Sequence, residues 1–270
     1  MDERFYTNIK QVINGRHSVR NYNDKEISKE LIEKIEEFIE DVSNPFYENL
    51  RVVLIKNDNH ESNIKLGTYG AVKGGKYFLS VACKEGKDNL LGVGYVFERI
   101  ILYCTYLGLG TVWLGGTFTK GKFAQAMSLK ENEILPIVSP LGYEGGSKSL
   151  LGKLMGNHNK KRKSFSELFF ENSFSTPIVF NENDKYSRIF EMVRVAPSAV
   201  NKQPWRVLKI NNEIHFFNSE KRDLHEIDMG IALCHFHLMC KAENIEGQFK
   251  HLDNINYDKY TYVTSWISKS

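Results

Sequence analysis

Apolar residues between Ser28 and Val42 recur at the spacing of an amphipathic helix. Six of them fall on one stripe: Leu31, Ile32, Ile35, Phe38, Ile39 and Val42. Ser28 stands just before the stripe, where a serine can accept a hydrogen bond from a backbone N–H of the first helical turn. The pattern predicts a helix over Ser28–Val42 that packs one face into a core.

The same kind of pattern predicts helices and strands along the rest of the chain. The other predicted helices are Ile9–Asn14, Gly92–Leu107, Lys122–Met127, Tyr186–Val195 and Asp228–Ala242. The predicted strands are Arg51–Lys56, Tyr77–Ala82, Val112–Leu114, Ile134–Leu141, Arg206–Ile210, Ile214–Phe217 and Tyr260–Ile267. The strands Arg206–Ile210 and Ile214–Phe217 are close enough in sequence to form a hairpin.

One stretch has the length of a membrane span. Ile100–Thr119 carries no charge over 20 residues. Glycines at positions 108, 110, 115 and 116 would break a helix in its second half. We interpret the stretch as the end of a buried helix followed by a short buried strand.

Charge and cysteine content narrow the class of protein. The 36 basic and 33 acidic residues leave a net charge of +3, too near balance for a dedicated nucleic-acid-binding protein. Cys83, Cys104, Cys234 and Cys240 form no C-x-x-C pair, and the first ten residues contain no apolar signal segment. We therefore expect a cytoplasmic protein with free thiols.

The second part of the chain repeats the first at low similarity. A shift of 155 positions (206 − 51) places RVVLIKND on RVLKINNE. A shift of 136 positions (230 − 94) places Gly94–Gly110 on Gly230–Glu246. Because both blocks recur in the same order, we predict an internal duplication. The predicted halves are residues 1–170 and a shorter, degenerate half at residues 171–270.

Three segments carry residues suited to an anionic, planar ligand. Arg16–Arg20 (RHSVR) places two arginines and a serine within five residues, and these groups bind phosphate oxygens. Pro197–Trp205 (PSAVNKQPW) is stiffened by two prolines and presents Ser198 and Asn201. Gly108–Gly116 (GLGTVWLGG) has paired glycines that allow a backbone N–H to approach a ligand closely.

Together these segments resemble the FMN-dependent nitroreductase family, in particular its single-chain members with internal duplication. The family pattern is R-x-S-x-R, PSxxNxQPW, GLGT-x-W-(I/L)-G, and LGY followed by a basic stretch. The last of these matches Leu141–Tyr143 followed by Lys160–Lys163 (KKRK). The resemblance implies an α+β fold of nitroreductase type. Such a fold has three α/β/α layers, with mixed, largely antiparallel sheets flanked by helices, in two pseudo-symmetric halves.

The order of the motifs departs from the family. Ordinary members are homodimers that carry PSxxN early, and each FMN there is held by R-x-S-x-R of one subunit and PSxxN of the other. In this chain Val42–Tyr47 stands at the early position without the motif, and the intact loop lies in the second half, which lacks R-x-S-x-R. The resemblance implies a fused dimer with one FMN site at the interface of its halves, acting as a monomer.

The resemblance also implies a role for each candidate residue. Arg16 and Ser18 would hold the FMN phosphate, with His17 along the ribityl chain or phosphate. Arg20 would lie near the pyrimidine edge, where a cation stabilises the reduced flavin. The other implied cofactor-binding residues are Lys73 at the pyrimidine edge, Gly115 and Gly116 at N5, Arg162 with Lys160 or Lys163 at the phosphate, and Pro197, Ser198 and Asn201 at the ring.

The implied activity is that of an NAD(P)H-dependent FMN oxidoreductase. NAD(P)H would deliver a hydride to flavin N5 and leave, and a small nitroaromatic or quinone-like acceptor would then take it. The resemblance assigns no catalytic acid or base to the protein. No GxGxxG motif follows a strand, so we expect NAD(P)H as a co-substrate without a Rossmann domain. The expected partner is a small molecule, with neither nucleic acid nor membrane.

Two alternatives remain open at the level of sequence. The first is a metal site built on Cys234, His235, His237 and Cys240. At about 100° per residue these side chains would splay around a helix, which argues against a shared ion. The second is a protein that binds flavin without turnover, such as a sensor, since the same motifs would serve both functions.

Overall fold

The computed structural model describes residues 3–46, 50–57, 66–145, 162–222 and 224–269. Contacts divide the chain into two compact units that are interleaved in sequence. The first contains Gly15–Asn89 and Val96–His158, and the second contains Asp2–Asn14, Leu90–Tyr95 and Asn159–Ser270. The second unit thus begins earlier than the predicted residue 171 and includes the N-terminal helices.

The N-terminal residues belong to the second unit because they pack on its helices. The ammonium of Lys241 lies 4.0 Å from the ring centroid of Tyr6. Asn14 Nδ2 donates a 3.7 Å hydrogen bond to the sulfur of Met192. These contacts are between residues far apart in sequence, and motif order alone does not reveal them.

The first unit is built on a four-stranded antiparallel sheet. Its described elements are α3 (Lys29–Asp41), β1 (Arg51–Lys56), β2 (Tyr77–Cys83), most of α4 (Lys87–Tyr106), β3 (Gly110–Thr111), α5 (Lys120–Ala126) and β4 (Ile134–Gly142). The strand order is β1-β2-β4-β3. Phe123 anchors the core through edge-to-face contacts with Phe78 and Phe118 at centroid distances of 5.1 and 5.5 Å.

The amphipathic pattern of α3 correctly predicted both its start and its buried face. Ser28 Oγ accepts a 3.4 Å hydrogen bond from the Leu31 N–H, which caps the helix. Ile35 and Phe38 are buried, and the Phe38 ring stacks on Tyr103 with centroids 4.0 Å apart. The stripe therefore packs where its spacing indicated.

The predicted strand Val112–Leu114 is displaced in the structure. Gly110 and Thr111 pair with the end of β4 instead, and Leu114 makes only an isolated bridge to Val138. The apolar spacing identified a buried segment correctly. It could not show which backbone groups have a partner strand, and that pairing defines β3.

The second unit contains a five-stranded mixed sheet. Its described elements are α1 (Glu3–Thr7), α2 (Ile9–Gly15, except its last residue), α6 (Phe165–Leu168), β5 (Phe169–Glu171), α7 (Lys185–Arg194), a 3₁₀ turn (Ala199–Asn201), β6 (Trp205–Ile210), β7 (Glu213–Asn218), α8 (Leu224–Ala242), β8 (Gly247–Lys250) and β9 (Thr261–Ser268). The order is β5-β6-β7-β9-β8, antiparallel except between β5 and β6. Phe216, Phe236 and Trp266 lie fully or almost fully buried among these elements.

The elements of the two units recur in the same order. The strands β1-β2-β4-β3 of one sheet correspond to β6-β7-β9-β8 of the other. The shift of 155 positions carries α3 and β1 onto α7 and β6, and the shift of 136 carries the end of α4 at residue 106 onto the end of α8 at residue 242. This agreement supports the predicted internal duplication.

All four cysteines are free and buried. Burial raises the pKa of Cys83 to about 11 and that of Cys104 to about 12, and it also raises the pKa of Cys240. Among the helices that the structure describes, none has the length and apolar content needed to cross a membrane. The uncharged stretch Ile100–Thr119 is divided between the end of α4 and the segment that contains β3.

Candidate functional site

The segment Arg16–Arg20 is held in the first unit by backbone contacts with three other segments. The Val19 N–H donates a 2.9 Å hydrogen bond to Thr111 O, in the glycine-rich segment. The Lys73 N–H donates a 2.9 Å bond to Arg20 O. On the same stretch, Asn21 O accepts a 2.7 Å bond from the Gly145 N–H. The fold thus brings together the segments RHSVR, GLGT, AVKGG and LGYEG, which are distant in sequence.

Arg16 and Arg20 are half-buried, and each has a buried side-chain nitrogen without a hydrogen-bond partner among the described residues. Arg16 Nη1 and Arg20 Nε are buried atoms with no hydrogen-bond partner among the described residues. Burial lowers the pKa of Arg16, although the nearby Glu98 opposes this, and burial also lowers the pKa of Arg20. An unsatisfied, desolvated cation is costly. Such a pair therefore favours an anionic ligand.

Sequence analysis did not identify two polar residues of this region. Glu98 lies fully buried in α4 and accepts a 2.9 Å hydrogen bond from Trp113 Nε1. Thr111 is buried as well, and its Oγ1 has no partner among the described residues. A signal was present, because Glu98 and its neighbour Arg99 are the only charges in the apolar run Gly92–Leu107.

His17 and Lys73 occupy more exposed positions than Arg16. His17 Nε2 lies 3.0 Å from Glu144 Oε2, and its Nδ1 lies 3.1 Å from Gly15 O. The imidazole is thus already engaged by residues of its own unit. Lys73 is exposed, and it contacts this segment through its backbone, with its carbonyl accepting a 2.9 Å bond from the Tyr22 N–H.

The glycines at positions 110 and 116 of the GLGTVWLGG segment have different surroundings. At Gly110 a Cβ would lie 2.6 Å from Val19 Cγ2, so the packing of the protein itself requires glycine there. At Gly116 a Cβ would meet no protein atom within 4 Å. Gly115 is half-buried and Gly116 exposed. Protein packing therefore does not explain the glycine at 116.

In the second unit, Pro197–Trp205 forms a loop held by hydrogen bonds within itself. Gln203 is buried, and its N–H donates a 2.9 Å bond to Ser198 Oγ. Its side-chain amide donates to Asn201 O at 2.8 Å and to Asn201 Oδ1 at 3.0 Å. These bonds fix the two polar side chains that the sequence singled out.

The basic run Lys160–Lys163 is only partly described. Lys160 and Lys161 lie outside the described residues. Arg162 donates from Nη1 to Ala196 O at 2.6 Å and from Nη2 to Val195 O at 2.9 Å. The Lys163 N–H donates a 2.8 Å bond to Gln203 Oε1. Arg162 therefore holds the two residues just before the loop, and Lys163 holds Gln203 within it.

The residues of the alternative metal site have other contacts. His235 Nδ1 lies 2.8 Å from Met192 O, and His237 Nδ1 lies 2.6 Å from the Tyr95 hydroxyl. Cys234 and Cys240 are buried thiols. The described residues contain no group of three or more His, Cys, Asp or Glu side chains arranged to hold a metal ion.

Comparison with known proteins identifies a family. The profile of the family described as "Putative TM nitroreductase" matches residues 8–240. A Thermotoga maritima protein described as a putative nitroreductase has 21% identity and a TM-score of 0.61, over 96% of this chain and 93% of its own. The two folds are therefore alike.

Shorter proteins match part of the chain. A nitroreductase family protein of Clostridium difficile has 21% identity and a TM-score of 0.44, over 58% of this chain and 94% of its own. A nitroreductase of Desulfitobacterium hafniense with bound FMN has 19% identity and a TM-score of 0.41, over 55% of this chain and 93% of its own. A search of curated proteins finds no match.

Proposed function

The chain belongs to the nitroreductase family whose profile spans residues 8–240, and on this premise we propose that it is an FMN-dependent oxidoreductase that uses NAD(P)H. Family membership makes it an oxidoreductase of nitroreductase type. The observation that carries the cofactor proposal is the buried, unpartnered pair of donor atoms on Arg16 and Arg20.

The residues of the first unit fit a flavin mononucleotide. A phosphate would supply charge and acceptor oxygens to Arg16 Nη1, which has no partner among the described residues. Ser18 lies in the same segment, half-buried, and can add a hydroxyl donor. We assign Arg20 to the pyrimidine edge, with exposed Lys73 as a second cation held beside it through its backbone. The imidazole of His17 is hydrogen bonded to Glu144, and its ring edge would contact the FMN.

The glycine pair and the second unit supply the remaining proposed contacts. Gly116 has open space where a side chain would stand. This space would allow its backbone N–H to approach the flavin ring at N5. Gly115 precedes Gly116. In the second unit, Pro197, Ser198 and Asn201 would contact the ring from a loop whose side chains are already fixed by Gln203. Arg162 braces that loop, and its phosphate role, like those of Lys160 and Lys163, remains a proposal.

In this proposal the protein binds and orients the cofactor, and the cofactor supplies the redox chemistry. Bound FMN would supply two-electron transfer, from NAD(P)H to a small nitroaromatic or quinone-like acceptor. The two arginines would favour negative charge on the ligand because each has a nitrogen atom that is shielded from water and lacks a protein partner among the described residues. No described residue is assigned the role of catalytic acid or base.

The absorption spectrum of the purified protein tests the cofactor. We expect a yellow protein whose flavin is released by denaturation and identified as FMN. Arg16→Ala should weaken FMN binding by about 1.5–3 kcal/mol, the range for one charged hydrogen bond. Arg51→Ala is the matched control, because Arg51 is fully engaged with Glu133, Met127 O and Ser128 O.

Arg51→Ala should lower thermal stability and leave FMN affinity unchanged. A colourless protein that takes up no added FMN would contradict the proposal. If Arg16→Ala bound FMN as tightly as the wild type, the phosphate role would belong to other residues.

Turnover separates an enzyme from a protein that only binds flavin. Steady-state NAD(P)H oxidation should accelerate when a quinone or nitroaromatic acceptor is added. Saturation with FMN but no acceptor-dependent oxidation would instead support a sensor or storage role.

We also propose one FMN per chain and a monomeric protein, since the sequence holds one intact R-x-S-x-R and one intact PSxxN. Light scattering with flavin quantification on one sample tests both. Two flavins per chain, or FMN bound only by a dimer, would contradict this proposal.

A further inference from the structure

The loop that carries Ser198 and Asn201 has a strained backbone. Val200, Asn201 and Gln203 have φ angles of 45°, 57° and 48°. L-residues in this left-handed region lose about 1–2 kcal/mol each, and a β-branched residue such as Val200 is unusual there. Val200 is also 81% exposed, so its own packing does not compensate. The bonds made by Gln203 hold part of this shape, and a strained backbone also needs support from the surrounding structure.

A buried carboxylate from α8 provides such support. Asp228 Oδ1 accepts a 2.8 Å hydrogen bond from the Ala199 N–H, immediately before Val200. The side chain of Asp228 is only 4% exposed. A carboxylate accepting a backbone N–H away from water forms a strong, charge-assisted bond. This bond fixes the entry to the strained turn from an element 29 residues away in sequence.

The other oxygen of the carboxylate is held by a histidine of the same helix. His225 Nδ1 lies 2.8 Å from Asp228 Oδ2, and the imidazole is 8% exposed. Among the described residues, Glu220 and Lys202 are the other charged groups that act on this pair: Glu220 Oε2 lies 3.9 Å from His225 Nε2, and Lys202 Nζ lies 3.8 Å from Glu220 Oε1. Asp228 is therefore oriented by a partner that leaves one oxygen to the loop.

The internal repeat offers an independent comparison. The shift of 136 positions that aligns α4 with α8 places Gly92 at the position of Asp228. The shift of 155 positions places Val42–Phe46 on Pro197–Asn201, and that first-unit segment lacks the motif. Where the loop sequence has been lost, the carboxylate is replaced by glycine.

We propose that Asp228, oriented by His225, is a positioning residue that holds the Pro197–Trp205 loop in its ligand-binding shape. The inference rests on the proposed function, because the ligand it serves is FMN. Asp228 is 4% exposed, so it would act through the Ala199 amide without contacting the flavin itself. His225 would act one step further away, through Asp228.

Amide hydrogen exchange of the flavin-free protein tests the clamp directly. In Asp228→Ala the Ala199 amide loses its acceptor, and we expect its exchange to accelerate by about tenfold or more. FMN affinity should fall by about tenfold in the same variant. His225→Ala should change both quantities in the same direction by a smaller factor. If Asp228→Ala does not fold, Asp228→Asn keeps the shape, loses the charge and should show the same trend.

Glu243→Gln is the matched control for a general loss of stability. Glu243 follows α8 in the same unit and makes a bidentate ion pair with Arg188. The control should lower the melting temperature while leaving exchange at Ala199 and FMN affinity within about twofold of wild type. If the control weakens FMN binding as much as Asp228→Ala does, the positioning role is wrong.

A double-mutant cycle provides a readout that a purely structural role would not move. If Asp228 acts through the loop, Asp228→Ala and Asn201→Ala should be less than additive in FMN affinity, because each disturbs the same contact. Additive losses would overturn the inference. Failure of wild-type protein to bind FMN would instead contradict the proposed function, and unchanged Ala199 exchange in Asp228→Ala would contradict the clamp alone.

Discussion

Gly94 of α4 and Gly230 of α8 make reciprocal contacts where the two helices cross. A Cβ on Gly94 would lie 2.0 Å from Ile227 O, and a Cβ on Gly230 would lie 2.0 Å from Leu91 O. These two glycines are the first aligned pair of the block that the shift of 136 positions relates (230 − 94), so they occupy equivalent positions in the predicted repeat. Contacts of residue i with j and of j with i characterise isologous interfaces of identical subunits. A chain with the predicted internal duplication would show reciprocal contacts of this kind, and the fused dimer itself stays a prediction.

Gly94→Ala and Gly230→Ala should each be severely destabilising. The added methyl would overlap a backbone carbonyl, which cannot rotate away as a side chain can. We expect each substitution to lower the free energy of unfolding by about 3 kcal/mol or more, the upper range for overpacking. Thermal or urea unfolding measures the effect.

Gly121→Ala is the control for these substitutions, because Gly121 lies in α5 and a Cβ there would meet nothing within 4 Å. It should leave stability unchanged or raise it slightly, since alanine favours helix. If Gly94→Ala were equally well tolerated, the helix crossing would be looser than described.

Gly110→Ala should disturb the arginine segment without touching an arginine. The new methyl would displace Val19, which lies between Ser18 and Arg20 in the chain. We expect weaker FMN binding together with a stability loss of about 1–3 kcal/mol. Fluorescence titration with FMN and thermal unfolding give the two quantities.

Gly116→Ala should reduce FMN affinity without reducing stability. A Cβ at Gly116 would meet no protein atom within 4 Å, so the substitution should leave the free energy of unfolding unchanged. Unchanged affinity in both glycine variants would argue against the proposed contact at GLGTVWLGG.

The ion pair of Arg51 and Glu133 should make stability depend on pH. Arg51 hydrogen bonds to the carboxylate and lowers the pKa of Glu133 below its ordinary value of 4.5. The stabilisation is therefore present above that value and lost as the pH falls through the lowered pKa. Glu133→Gln should reduce the free energy of unfolding by about 1–3 kcal/mol at neutral pH. In urea unfolding the difference from wild type should shrink under acidic conditions, and a constant difference would contradict the assignment.

Burial of His215 should make the stability of the protein depend on pH in a different range. Its side chain is 1% exposed, and burial lowers its pKa below 6.5 despite the nearby Glu213. The folded state favours the neutral imidazole, so this contribution is present above pH 6.5 and is lost as the pH falls through the lowered pKa. His215→Gln should flatten the fall in stability between about pH 7 and pH 5. An unchanged slope would show that other groups control it.

Regular elements with a clear pattern could be predicted from sequence, and the shortest strands could not. The α3 stripe and strand Arg51–Lys56 were located to within a residue, because their patterns report directly on burial. Helix α4 begins at Lys87, five positions before the predicted Gly92 (92 − 87), since its exposed first turn does not continue the apolar run. Strand β5 spans three residues and β8 four, which is too short to show a period.

Local motifs single out candidate site residues in each unit, and tertiary contacts add further residues beside them. Arg16 and Asn201 stand within recognisable segments, so sequence alone could single them out. Glu98 and Asp228 were not identified, because each acts on a partner that only the fold brings near. An acidic residue in an otherwise apolar helix indicates that some group must compensate its charge, but the sequence does not reveal which group does so.

The burial of every cysteine makes this protein convenient for site-specific labelling. Thiolates are the reactive form, and the raised pKa values of Cys83, Cys104 and Cys240 keep these thiols protonated at neutral pH. A cysteine introduced at Val200, the most exposed apolar residue of the Pro197–Trp205 loop, would then react with a fluorophore ahead of the native thiols. The label would report changes in the shape of that loop, in wild-type background and in the Asp228 variants, without interference from the remainder of the chain.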